Sequence, residues 1–365
     1  MSGDDYPARL LRGLVGIPSV SGREHRASAY LAGQMERLGM RARVDAVGNA
    51  VGEIGPADAP TVLLLGHIDT VPGDIAVCQV GDLLYGRGTV DAKGPLAAMT
   101  CAAVRAAAAE PRLRIIVAGA VGEEVPGSRG ARHLLRTLPA PDAVVIGEPS
   151  GWDGVCLGYK GRVGVEYEVS RPPMHTSSPE ETAVEAATAF WRGIDAYMRR
   201  VSGPHEGVAF DAAAATLVRL DGDIRDAAAF ITCRVPAGFD FDEFQRYVDD
   251  TALHATARLD ERVPAVRRGV SDPVARALRN AIRVHGGRPV LRLKAGTSDM
   301  NVIEHQWPVP MVAYGPGDAH LDHTDDEHID LGDLHRSVDV LTRALTDLAG
   351  VLRRAPAPAT TLIHA

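Results

Sequence analysis

No apolar run in this 365-residue chain is long enough to span a bilayer, which excludes a transmembrane helix. The start, Met1-Ser2-Gly3-Asp4-Asp5-Tyr6, lacks a basic region followed by an apolar core, so no export signal is expected and the protein is expected in the cytoplasm, with no membrane partner. Cysteine is sparse: Cys78, Cys101, Cys156 and Cys233 never fall in a CxxC pair, which argues against a thiolate metal site or a disulfide scaffold and for reduced thiols. Positive charge is in deficit, with a net charge of −8, which argues against general nucleic-acid binding. Lysine is nearly missing; Lys93, Lys160 and Lys294 are the three among 39 basic residues, so arginine does the work of positive charge. One segment runs against the overall sign: Arg258, Arg262, Arg267, Arg268, Arg276, Arg279, Arg283, Arg288, Arg292 and Lys294 face only Asp260, Glu261 and Asp272, a patch suited either to an acidic partner or to plain solvation. No internal repeat is visible.

What is present is a set of short hydrophobic runs, each leading into a metal-type side chain. Thr61–Leu65 leads to His67 and Asp69, Ile115–Val121 to Glu123 and Glu124, Val144–Gly147 to Glu148, and Val309–Gly315 toward His323. Apolar runs bounded by Gly or Pro predict strands buried on both faces, and open α/β sheets gather ligands at the carboxyl ends of such strands. Helices are expected at about 8–15, 24–38 and 95–109, alternating with strands at about 42–54, 61–66, 113–121 and 143–147. That alternation predicts an α/β fold with a mostly parallel sheet. From Val163 to Val169 the pattern changes to strict alternation, and a βαββαβ order follows: a helix at about 180–199, strands near 215–220 and 228–235, a helix at about 240–253 and a last strand near 262–268. This is a ferredoxin-like unit inserted into the first domain. The expected boundaries are a catalytic domain in two parts, 1–160 and 272–354, with the insert at 161–271 and a disordered tail at 355–365. The second part contributes a helix at about 273–285, a strand at 309–314 and a long helix from Leu331 to Leu352.

The candidate residues make chemical sense together. In a strand, residues two apart face the same way, so Asp69 is placed to accept the ring N–H that His67 does not use for metal. Asp91 lies in the Gly-rich Gly86-Arg87-Gly88-Thr89-Val90-Asp91 turn, where a carboxylate can bridge two cations. Two adjacent carboxylates, Glu123 and Glu124, at the end of an apolar strand call for a compensating positive charge; one can bind metal while the other acts as a base. With Glu148 and His323 they form an N/O donor set suited to paired zinc ions and an activated water.

These motifs resemble those of the zinc amidohydrolase and exopeptidase family, peptidase family M20, that includes acetylornithine deacetylase, succinyl-diaminopimelate desuccinylase, aminoacylase and glutamate carboxypeptidase. The resemblance implies a di-zinc exopeptidase-like catalytic domain with an inserted lid that also dimerises. It implies that His67, Asp91 and Glu148 hold one zinc and Asp91, Glu124 and His323 the other, cobalt being the alternative metal. Glu123 is then the general base and Asp69 the orienting residue behind the ligands. His320 competes with His323, but His323-x-Asp325-x-Glu327 lies nearer the family's pattern. Val90-Asp91-Ala92-Lys93-Gly94-Pro95, Gly158-Tyr159-Lys160-Gly161-Arg162 and Gly296-Thr297-Ser298-Asp299 are similar to the branch that releases lysine or ornithine from the terminal glutamate of an acidic amino-group carrier protein. On that likeness the basic stretch 258–294 docks the carrier, His175 stabilises the oxyanion across a homodimer, and Arg234, Gly296, Thr297 and Ser298 hold the substrate carboxylate. The competing expectations are deacetylation of N-acetylornithine or N-acetyl-lysine and, outside enzymes, an inert metal-binding scaffold.

Overall fold

The computed structural model describes residues 5–203 and 210–352, and the expected disordered tail at 355–365 lies outside them. The chain divides into two compact units. One comprises the chain to Leu157, Arg268–Arg292 and the chain from Ile303; the other comprises Gly158–Arg267 and Leu293–Val302.

In the first unit the strands Thr61–His67, Arg114–Ala120, Ala143–Gly147 and Met311–Ala313 run parallel at the centre of the sheet. Their near-unbroken Val, Ile, Leu and Ala content follows from burial on both faces. Ala50–Ile54 and the short Arg41–Val44 extend one side in antiparallel sense. The anticipated single strand at 42–54 is therefore a hairpin, broken where Asp45 turns its carboxylate onto the N–H groups of Val47, Gly48 and Asn49. Helix Lys93–Ala109 is buried almost all round, which its alanines permit. It lies close against the sheet because Gly66, Gly119 and Gly147 carry no Cβ; one at Gly147 would stand 2.8 Å from the Met99 sulfur, and one at Gly119 3.0 Å from Leu96. The register aligns the strand ends: Gly66 pairs with Gly119 and with Gly147, so three parallel strands finish at one level. The residues just beyond them gather at one rim.

A small antiparallel sheet, unforeseen in the sequence, joins Cys78–Val80, Leu83–Tyr85 and His328–Asp330. It draws the His323 segment toward the Gly-rich turn that begins after Tyr85. Helix Pro273–Val284 starts on Asp272, whose carboxylate accepts from Val274 N–H at 2.8 Å, with Pro273 in the first turn.

The second unit is a four-stranded antiparallel sheet in the order Ala214–Gly222, Asp226–Val235, Gly161–Ser170, Thr256–Leu259, with helices Ala183–Ser202 and Phe241–Ala252. That order is the ferredoxin-like one. Its closing strand is Thr256–Leu259, not the segment near 262–268. Asp260 ends it by turning its carboxylate onto Gly164 N–H and Arg162, and Pro264 then breaks the run. What remains there, Val266–Arg267, pairs with Tyr159 and Gly158 instead. Helix Ala183–Ser202 opens with a reciprocal Thr182–Glu185 capping box and packs Phe190 on Tyr167, ring centroids 4.1 Å apart. Among the described residues no helix is long and apolar enough to cross a membrane.

Candidate metal centre

The rim of the first unit's sheet collects five side chains. His67 closes its strand, buried, with Nε2 3.0 Å from Asp91 Oδ1 and 3.9 Å from Glu148 Oε1. His323 arrives from the other side, half-exposed, with Nε2 3.0 Å from Asp91 Oδ2 and 3.2 Å from Glu124. Asp91 thus offers one oxygen to each imidazole, the disposition of a carboxylate able to bridge two cations. Donor atoms of His67, Asp91 and Glu124 all lie within 4.8 Å of one another. His320, exposed on the turn Ala319–Leu321, spends its backbone N–H on Asp318 and stands outside these contacts.

Electrostatics show how tightly the group is coupled. Burial works to raise the Asp91 carboxyl, yet hydrogen bonds from His323 and His67 hold it well below the usual carboxylate range. Burial pushes Glu124 up, with the Asp91 charge adding to it. His323 is pushed up to about 10 by its hydrogen bonds to Asp91 and Glu124. Burial works to lower His67, but Asp91, Glu123 and Asp69 outweigh it and hold that imidazole well above its ordinary value. The carboxylates thus favour positive charge on both imidazoles, and a cation would compete for the same place. Two imidazoles and three carboxylates are the donor types that zinc and its neighbours accept, so the residues fit a metal pair.

Asp69 departs from the expected geometry. The strand ends at His67, so the same-face rule no longer applies two residues on. The His67 Nδ1 contact is to the backbone oxygen of Asp69 at 3.0 Å, while the nearest carboxylate oxygen is 3.7 Å away. The fully buried Asp69 carboxylate instead accepts the backbone N–H groups of Glu123 and Glu124, each at 3.1 Å, and the Ser21 hydroxyl at 2.7 Å. It therefore fixes the tight turn that presents the two glutamates. Ser21 had no signal in the sequence that would single it out.

The remaining candidates belong to the second unit. Arg234 donates from Nη1 to Thr297 Oγ1 at 3.0 Å, which brings two of the expected carboxylate-holding residues together. Ser298 is buried and takes the Met300 N–H, its own N–H going to Asn301 Oδ1; Gly296 precedes this turn. His175 is exposed, with Nδ1 2.8 Å from Ser177 Oγ. The basic stretch is partly used up internally: Arg262 pairs with Asp242, Arg267 with Asp211, and Arg268 with Asp272 and Glu304.

Comparison with known proteins shows the family. Residues 63–347, a span that includes His67 and His323, match Peptidase family M20/M25/M40. The chain belongs to the M20 family. It is 42% identical over 355 residues to the [LysW]-lysine hydrolase of Deinococcus radiodurans, covering 93% of this chain and 96% of that protein. Among solved M20 structures, a metallo-carboxypeptidase from Sulfolobus solfataricus superposes with a TM-score of 0.78 at 18% identity, over 95% of this chain and all of that one. A dinuclear metal-binding M20 peptidase from Bacillus subtilis does so with a TM-score of 0.70 at 15% identity, over 96% of this chain and 98% of that one. At such identities the structural likeness establishes the shared M20 fold, parallel-sheet unit and antiparallel unit alike.

Proposed function

We propose that this M20 enzyme hydrolyses the amide that joins lysine, or ornithine, to the terminal glutamate of an acidic amino-group carrier protein. The observation that carries this reading is the 42% identity, over nearly the whole of both chains, to a [LysW]-lysine hydrolase. On this reading His67, Asp91 and Glu148 hold one divalent ion and Asp91, Glu124 and His323 a second, zinc being the metal the donor set favours. Such ions supply Lewis acidity that polarises a carbonyl and acidifies water. The chain's own residues do the rest. Glu123, presented by the turn that Asp69 fixes, takes a proton from the attacking water and returns it to the leaving amine. Arg234 with Thr297 and its neighbours Gly296 and Ser298 receive the carboxylate of the amino acid to be freed, a task that suits a guanidinium fork. His175 donates to the oxyanion from the second unit, acting across a homodimer. The products are a free amino acid and a carrier ending in glutamate.

The test uses carrier-linked lysine, carrier-linked ornithine and N-acetylornithine as substrates for the metal-loaded enzyme and its Glu123→Gln variant. We expect turnover of the carrier-linked substrates by the wild type, and a loss of ~10²- to 10⁴-fold in Glu123→Gln with the metal content unchanged. A strong preference for N-acetylornithine would replace this reading by a small-molecule deacetylase. Loss of a metal in Glu123→Gln would exchange the roles of Glu123 and Glu124.

A further inference from the structure

Behind the candidate ligands sits a pair, partly buried Arg87 and buried Glu327, that touches every loop supplying them except those of the glutamates. Glu327 is 1% exposed. One of its oxygens, Oε1, accepts three backbone N–H groups from a single turn: Gly88 at 3.0 Å, Val90 at 2.9 Å and Asp91 at 3.1 Å. Converging amides of this kind form a concavity that binds anions, and leaving them unmet in a buried place is costly. Here the anion is a side chain from the far end of the chain. Its other oxygen, Oε2, accepts from Arg87 Nη1 at 2.9 Å.

Arg87 makes two further hydrogen bonds, one to each of two more loops. Nη1 also reaches the backbone oxygen of Thr324 at 2.9 Å, and Nε reaches that of Gly73 at 2.9 Å. Gly73 lies on the loop beyond His67 and Asp69; Thr324 is the residue after His323. His323 itself has φ +62°, a left-handed conformation that is uncommon for a residue with a Cβ. Arg87 grips the next carbonyl, so the pair holds both the Asp91 backbone and the unusual turn of His323.

We infer that Arg87 and Glu327 are positioning residues that set the spacing between Asp91 and His323 and thereby the affinity of the site for its metal ions. This rests on reading the His67–Asp91–Glu124–His323 cluster as a metal centre. Neither side chain is one of the candidate ligands; both act through the backbone of the segments that carry Asp91 and His323. The two oxygens of Glu327 have separate duties, so the pair can be dissected. Glu327→Gln can keep its carbonyl oxygen on the three amides and present its –NH2 to Arg87, which removes the bridge alone. Arg87→Met removes the same bridge from the other end, and with it the holds on Thr324 and Gly73.

The experiment strips wild type, Glu327→Gln, Arg87→Met and the double variant of metal with a chelator and titrates each with Co²⁺. Affinity is followed by calorimetry and ligand geometry by the visible absorption of cobalt. We expect at least one ion to bind ~10- to 100-fold more weakly in each single variant, with an altered cobalt spectrum. The double variant should be no worse than Arg87→Met, because both changes break one bridge. KM should stay near the wild-type value while kcat falls. Should Glu327→Gln fail to fold, Arg87→Met, which leaves the three amides satisfied, decides the matter alone. Wild-type affinity and an unchanged cobalt spectrum in the variants would overturn the inference while leaving the metal centre in place. A wild-type protein that binds no metal would bring down the metal centre and the inference together.

Discussion

Replacing Asp69 by asparagine removes one charge and one acceptor from a carboxylate that makes three hydrogen bonds with no exposure to solvent. Oδ2 serves two of them, Glu124 N–H and the Ser21 hydroxyl; Oδ1 serves Glu123 N–H. The amide oxygen of asparagine therefore does best in the Oδ2 place, which leaves its –NH2 facing the Glu123 N–H. One backbone donor loses its partner and meets another donor. A buried donor deprived of a charged acceptor costs ~1–3 kcal/mol, a substantial part of the ~5–15 kcal/mol that holds a domain together. The Tm should fall by several degrees. The displaced residue is specifically Glu123, since Glu124 keeps its anchor. A shift of about 1 Å in a catalytic group can cost ~10²-fold in rate. We expect Asp69→Asn to lower kcat by roughly that factor with little change in KM, while both metals remain bound. Thermal unfolding, elemental analysis and steady-state kinetics read these quantities separately. Wild-type kcat together with a lowered Tm would show that Asp69 stabilises the turn without positioning Glu123, and loss of one metal would show that Glu124 moves instead.

Other outcomes depend on single features of the structure. Because His323 is pushed up to about 10 and His67 is held above its ordinary value, metal uptake by the metal-free protein should release protons and tighten as pH rises; titration calorimetry in buffers of different ionisation enthalpy that finds no proton release would contradict this. The same shift means that the His323 contribution to the metal-free fold is complete below its ordinary value of 6.5 and lost as pH rises through about 10, which unfolding curves across that window should show. Cys78 is exposed while Cys101, Cys156 and Cys233 are buried, and burial pushes the Cys233 thiol up to about 12, so one thiol of the four should react with a thiol reagent before denaturation; rapid labelling of a second would refute the packing. Arg276, Arg283 and Arg288 are exposed and form no ion pair among the described residues, so reversing them to Glu should slow association with an acidic carrier and weaken its salt dependence, and leave a small N-acyl substrate untouched. Equal turnover of carrier-linked substrate by the reversed enzyme would remove the basic stretch from docking.

The basic stretch also shows where the sequence was a good guide and where it was not. The strands leading to His67, Glu123, Glu124 and Glu148 were legible because strands buried on both faces must be apolar throughout, and an ionisable residue at the end of such a run stands out. The antiparallel unit was legible because one face of Gly161–Ser170 is wet and its side chains alternate from Val165 onward. What the sequence hid were relations fixed by ends and by distance. The period-two rule placed Asp69 beside the His67 ring, but the strand stopped at His67 and the carboxylate turned to the Glu123–Glu124 backbone. The basic stretch read as open to a partner, though Arg267 and Arg268 meet acids from outside it, Asp211 and Glu304. Glu327 left the faintest trace, as a mark of register after His323. Its partners are backbone amides, which any sequence possesses, and the Asp91 amide is 236 positions away. Side chains that bind metal can be read from residue type and local pattern; side chains that hold a ligand by its backbone cannot, because the group they recognise is the same at every residue. That is why the candidate ligands stood out in the sequence, while the contacts that Asp69, Arg87 and Glu327 make with the backbone around them came only from the fold.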